Sequence, residues 1–327
     1  MTKRRRKHSK HTKSHKSRPV AGFFGILLAA LLGLTGLAGQ QGLIKWELPA
    51  SVAAALNTQT DTQSTDDQSS AGAVATAAAA GDLGLGAVPG ASNDNCAVQF
   101  LAGKAPVLTN DKMAAKTKAL CYRGFAVLNS GVARVPLWAA EHLTPARIAS
   151  ARDLPRQGSF HADPNLPEDH RAELDDYKGT GFDRGHMAPN GDMPNEESQA
   201  ECFTLANMAP QVADANRGIW RQIESEVRDL AEKSTDVYVV TGPIFDGEDI
   251  ETLNDRVMVP TGFYKAVYDA KKGQGAAYVV KNAEDSTYET ISLTELHRRI
   301  GIDVFPGLPE KATGELELPA LSGKRHS

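Results

Sequence analysis

The sequence predicts an α+β fold with a mainly antiparallel central sheet flanked by helices. Two observations carry this expectation. Segments of strand composition fall into two groups, one before residue 140 and one after residue 236, and a long helix candidate lies between them. A hydrophobic content of 41% and a charged content of 23% are those of an ordinary globular chain, so a packed core is expected.

In the first group, Tyr122–Leu128 (YRGFAVL) and Val132–Ala139 (VARVPLWA) read as a hairpin joined through Asn129, Ser130 and Gly131. Residues 146–176 are polar and punctuated by proline, which reads as loop. The helix candidate spans Ala215–Lys233. The second group comprises Val237–Ile244 (VYVVTGPI), Val257–Tyr268 and Ala276–Val280. A last helix is expected over Ser292–Ile300, where Ser292 and Glu295 stand at capping-box spacing. No internal repeat is apparent.

The 327 residues suffice for one large domain or two small ones. Residues 1–19 carry nine Lys or Arg and no acid, so of 36 basic residues 27 remain against 40 acidic ones, a balance of −13 for the rest of the chain. A protein that grips nucleic acid over a broad surface carries a basic face. That mode is excluded for this chain on average; nucleic-acid contact has to rest on a local basic groove and a bound cation. After the basic tail comes an uncharged stretch from Pro19 to Ile44. As a helix its length is about 39 Å, against a hydrocarbon core of about 30 Å. A cleaved signal needs a small-x-small site, and Leu37-Ala38-Gly39-Gln40 matches poorly. A retained anchor over residues 20–44 is therefore favoured over a signal segment. The basic tail stays cytoplasmic and the remainder crosses to an extracytoplasmic, periplasmic or cell-surface side. Residues 45–95 are rich in Ala, Gly, Ser, Thr, Gln and Asp and read as a flexible linker. The globular domain is expected over 96–309, with a C-terminal tail from 310. Of the three cysteines, one disulfide and one free thiol is the simplest arrangement in an oxidising compartment, with Cys96 and Cys121 the expected pair and Cys202 left over.

The densest chemistry runs from Gly179 to Asn195 (GTGFDRGHMAPNGDMPN), and a second cluster follows at Leu205–Gln211 (LANMAPQ) and Asn216–Trp220 (NRGIW). Asn216, Trp220 and Glu224 stand at successive four-residue steps, near one helix face with a drift of about 40° per step. That spacing offers an amide oxygen and a carboxylate to one metal ion, with Trp220 packed beneath. Taken alone, Asp-Arg-Gly-His also fits a surface turn, and the helix fits an ordinary amphipathic element.

Taken together, DRGHMAP, the later NMAPQ, and NRGIW followed by a Glu resemble the DNA/RNA non-specific endonuclease family of the ββα-metal, or His-Me finger, nucleases. The resemblance extends over about Cys96–Pro309, including VYVVTGPIF, VPTGFYKAV and GIDVFP. It implies His186 as the general base that takes a proton from the attacking water. It implies Asn216 as the direct protein ligand of one magnesium ion, which manganese could replace, and Glu224 as the holder of that ion's water shell. Asn207 would orient His186 or the backbone around it, and Asp183 would be a structural turn residue. Arg184 would contact a substrate phosphate or support the site, and Arg228 is a further candidate for that contact. The family's upstream arginine corresponds best to Arg156, with Arg152 as the alternative. Met187, Met193 and Met208 are expected to pack.

The leading reading is an endonuclease cutting DNA and RNA without sequence preference, since phosphate contacts carry little base information. A catalytically silent module holding extracellular DNA is the second reading, and a zinc hydrolase the third. Related enzymes are often dimers, so a homodimer is compatible with the sequence.

Overall fold

The computed structural model describes residues 96–308 and 314–322. The expected tail, apolar span and linker before residue 96 lie outside the described residues. Among the described residues no helix is long and apolar enough to cross a membrane.

Among the described residues, seven antiparallel strands form the central sheet: β1 (Thr117–Cys121), β2 (Ala126–Ser130), β3 (Val135–Leu143), β6 (Val237–Ile244), β7 (Gly262–Asp269), β8 (Gln274–Lys281) and β9 (Tyr288–Ile291). A separate two-stranded ladder pairs β4 (Asp183–His186) with β5 (Met208–Gln211). In space the large sheet runs β9-β8-β7-β6-β3-β2-β1, with Gly314–Glu315 added in parallel to β8. The two sequence groups therefore join edge to edge where β3 pairs with β6.

Among the described residues the longer helices are α1 (Pro145–Arg152), α2 (Glu196–Cys202), α3 (Arg221–Lys233) and α4 (Leu293–Ile300). Period-2 alternation in the central strands divides the core between the two sheet faces. One face carries Ala139, Leu143, Val237, Val239, Phe263 and Val267, covered by Ile148 of α1 and by Ile223, Val227 and Ala231 of α3. The other carries Trp138, Ala140, Val240, Tyr264 and Ala266, covered by Leu293, Leu296 and Ile300 of α4. The same alternation sends three polar side chains to the α1/α3 face: Glu141, Thr241 and Lys265, all buried, from three adjacent strands.

Several expected boundaries shift. The stretch that reads as a strand from Tyr122 opens with the turn Tyr122–Phe125, closed by Tyr122 N donating to Phe125 O at 2.9 Å. The strand before it, Thr117–Cys121, has too weak an apolar pattern to stand out. The β2–β3 turn lies at 131–134, with Arg134 in the left-handed region at φ 55°. Val257–Tyr268 divides around Pro260, which has no N–H to give to a ladder: Val257–Met258 pairs with Thr252–Leu253, and β7 starts at Gly262. The polar stretch 146–176 contains most of α1, whose Thr144 N-cap accepts from Arg147 N. At α4, Ser292 caps as expected by accepting from Glu295 N at 3.1 Å, but the Glu295 carboxylate bonds Arg298 and Arg299. Cys96 and Cys121 form the expected disulfide, and Cys202 is free and buried. Burial pushes its thiol up to about 12, which leaves it unreactive.

Candidate active site

The ladder of β4 and β5 leads into a short helical turn, Ala213–Ala215, then a π turn over Asn216–Trp220, then α3. DRGH is thus a strand and not a turn. Its register sets Asp183 opposite Gln211 and His186 opposite Met208. Gly185 is required by packing, because a Cβ there would collide with the Gln211 side chain. Asn207 lies just before β5 and is fully buried. Its amide donates to Ala188 O and Cys202 O, each at 2.9 Å, and accepts from Ala188 N at 2.9 Å. It therefore clamps the backbone two residues past His186; the imidazole itself is not its partner.

The expected four-residue steps of Asn216, Trp220 and Glu224 cross the π turn, where Gly218 is non-helical (φ −99°, ψ −105°). Such a widened turn changes the phase of the side chains and is frequent at functional sites. Asn216 and Glu224 nonetheless line one open cleft of about 620 Å3 together with His186. Trp220 is buried below, 5.6 Å from the Phe263 ring and 5.4 Å from Lys265 Nζ. Lys265 donates to Thr241 Oγ1 at 2.6 Å and to the carbonyl of Met187, next to His186, at 3.4 Å.

His186 is 9% exposed and sits edge-on to Phe203, with ring centroids 5.1 Å apart, and 5.8 Å from Phe160. Burial, reinforced by the Arg156 charge, pushes the imidazole down to about 3, so it is neutral at physiological pH. Its Nε2 has no hydrogen-bond partner among the described residues. The loop carrying Phe160 is held by the buried Asp163, which accepts from Thr204 Oγ1 at 2.8 Å and from Tyr122.

Asn216 Nδ2 donates to Asp183 Oδ2 at 2.9 Å. The same carboxylate takes two bonds from Arg217, at 2.8 and 2.6 Å. Burial opposes ionisation of Asp183, yet those bonds hold its carboxyl below the usual range. Glu224 is half-buried and its carboxylate makes no hydrogen bond among the described residues. Burial pushes it up to about 7, against the Lys265 and Arg228 cations that pull it down. A leftover amide oxygen and a carboxylate without a hydrogen bond in one cleft fit a hard cation that keeps most of its water. Among the described residues no group of three His, Cys, Asp or Glu is placed to hold a metal.

The arginines divide. Arg184 lies 5.1 Å from the Phe160 centroid and 5.3 Å from that of Tyr177, and donates to Leu174 O at 3.3 Å. Arg228 is held by the buried Asp192 at 2.9 Å. Arg156 is exposed on the cleft wall with its guanidinium 5.2 Å from the Phe203 ring. Arg152 points elsewhere, paired with Asp229 at 2.7 Å and Glu232 at 2.5 Å, so of the two alternatives only Arg156 reaches the cleft. Sequence reasoning missed the buried Lys265, Thr241 and Glu141 floor; its signal was a lysine and a glutamate inside otherwise apolar strands.

The family model described as DNA/RNA non-specific endonuclease matches residues 106–311. Nuclease C1 of Cunninghamella echinulata var. echinulata is 37% identical over 203 residues, covering 56% of this chain and 81% of that protein. The mitochondrial nuclease EXOG of Homo sapiens is 34% identical over 214 residues, covering 59% of this chain; the chain spans only 58% of that relative. A solved structure of an EndoG/EndoGI complex, described as showing the mechanism of EndoG inhibition, contains a chain similar to this one with a TM-score of 0.55 at 29% identity, over 60% of this chain and 88% of that one. With a ββα unit, an α+β sheet and a family match over more than half its length, the chain belongs to the DNA/RNA non-specific endonucleases, a family of metal-dependent phosphodiester hydrolases.

Proposed function

We propose that the cleft hydrolyses DNA and RNA phosphodiesters with His186 as general base beside a single magnesium ion held directly by Asn216. The observation that carries this reading is the neutral imidazole of His186, without a hydrogen-bond partner among the described residues, lining the same cleft as Asn216, whose Oδ1 is left over. Burial keeps the imidazole neutral and its lone pair available, and the negative charge of a bound phosphodiester would raise its basicity towards the range a general base needs. Asn207 and Lys265 hold the backbone on its C-terminal side, so the ring is presented on a rigid strand end. Glu224 would hold the water around the cation by hydrogen bonds, and manganese would be tolerated by the same oxygen donors. When bound, such a cation supplies positive charge to the phosphoryl oxygens and the leaving oxygen. Arg156, exposed on the cleft wall, would receive substrate phosphate; Arg228, held by Asp192, would add positive charge beside it, and Arg184, between two rings, would support the wall. Contacts of this kind read the backbone and not the bases.

We place the activity on the extracytoplasmic side of a membrane, tethered through residues 20–44. The uncharged stretch after nine basic residues supports this, as does the Cys96–Cys121 disulfide, which suits an oxidising compartment. N-terminal sequencing of the mature protein separates a retained anchor from a cleaved signal. The activity is tested by incubating the protein with plasmid DNA and with RNA, with magnesium and with chelator. Cutting of both substrates that stops with chelator is expected; binding without cutting under any divalent metal would leave a silent DNA-binding module instead.

A further inference from the structure

We propose that Arg221 forms a second phosphate-binding position, taking a phosphodiester that flanks the scissile one. The inference rests on the cleft being the nucleic-acid site. The cleft is lined by five arginines against the carboxylates of Asp183 and Glu224, a basic island in a chain of net charge −4. Arg217 is occupied by Asp183, Arg228 by Asp192, Arg184 by two rings and a carbonyl, and Arg156 by the face of Phe203. Arg221 has nothing. Among the described residues it is the one arginine whose guanidinium makes no ion pair, hydrogen bond or ring contact. Elsewhere the pattern is consistent: Arg152, Arg298 and Arg299 are all paired with carboxylates on their own or neighbouring elements.

Placement adds to the charge argument. Arg221 opens α3 directly after the π turn, exposed and on the cleft wall, one turn beyond Arg217. A polyanion in the cleft gains a charge-assisted bond to a planar, five-donor group that has no partner to give up. The Arg221 guanidinium makes no hydrogen bond, ion pair or ring contact with His186, Asn216 or Glu224, so the phosphate assigned to it is one flanking the reacting position. The ligand chemistry is an internucleotide phosphate of either DNA or RNA, and the contribution is to affinity and register, not to the chemical step.

The test compares full-length wild type, Arg221→Ala, Arg221→Lys and, as a charge control outside the cleft, Lys271→Ala, each with magnesium on one DNA duplex across a salt series. Binding is measured in the same series on a His186→Ala background. Arg221→Ala is expected to raise KM about 3- to 10-fold with kcat within twofold, and to reduce the slope of log affinity against log salt by about 0.9, the value of one phosphate contact on duplex DNA. Arg221→Lys should keep most of the slope. An unchanged slope, an equal effect from Lys271→Ala, or a kcat that falls as far as kcat/KM would each overturn the assignment while a cutting wild type leaves the cleft reading intact. A wild type that neither binds nor cuts would overturn both.

Discussion

Asn216 donates its amide nitrogen to Asp183 at 2.9 Å, which leaves Oδ1 as the end of the amide without a hydrogen bond. The Asp183 carboxylate is itself gripped by Arg217 on both oxygens, so the amide is oriented by a chain of three side chains from a strand and a π turn. Partners that orient a metal-binding side chain are usually worth 10- to 100-fold in metal affinity. Asp183→Ala removes the acceptor that sets the amide. It should raise the magnesium concentration for half-maximal cutting about 10- to 100-fold, measured as rate against metal concentration. An unchanged requirement would mean that Asp183 serves only the strand.

The low pKa of His186 makes a signed prediction about pH. Burial and the Arg156 charge both disfavour the imidazolium, so the acid limb of kcat/KM should lie well below the ordinary histidine value of about 6.5. Arg156→Gln removes one of the two causes and makes protonation easier. The acid limb should then move to higher pH, whatever the accompanying loss of rate. A limb that stays in place, or moves down, would show that Arg156 does not act on the imidazole.

Asn207 makes three buried hydrogen bonds to backbone, and none to the imidazole. Asn207→Ala strands two carbonyls and an N–H, at about 1 kcal/mol for each lost bond and more where a group stays unpaired. A stability loss of about 3 kcal/mol is expected, read by denaturant unfolding. Full stability with lost activity would place its role on the ring after all.

Glu141 gives the floor of the site a pH signature. Burial, then the nearby Asp192, push its carboxyl up to about 8, against the pull of Arg147 and Lys265. The unfolded chain titrates near 4.5. Between those values the folded state binds the extra proton. The stabilising contribution is therefore present below about 4.5 and fades as pH rises through 8. Glu141→Gln cannot ionise and should flatten the fall in stability across that window, measured as unfolding free energy at pH 5, 6, 7 and 8. An unchanged pH slope would contradict the assignment.

How far the sequence reaches is clearest at particular residues. The order of strands, helix and strands was legible because β6, β7 and β8 are apolar runs long enough to read without periodicity. The edge strand β9 has only Tyr288 buried, and β1 only Leu120, so neither announces itself. The motif residues His186, Asn216 and Glu224 were found by pattern and do share a cleft. The means of sharing was hidden: regular helical spacing describes the stretch poorly, because the π turn at Gly218 resets the phase. Asp183 reads as a turn former by type, and only its strand register shows that it reaches Asn216. Lys265 could not be read as part of the site because its role depends on β7 reaching the carbonyl of Met187, just after β4, a contact between residues 78 apart in sequence.

The central claim is that His186 is the base. Purified wild type and His186→Ala, matched for fold by circular dichroism, are compared for the rate of plasmid and RNA cleavage at saturating magnesium. A loss of about 10²- to 10⁴-fold for both substrates with DNA affinity retained is expected. Undiminished cutting by the variant would contradict the claim.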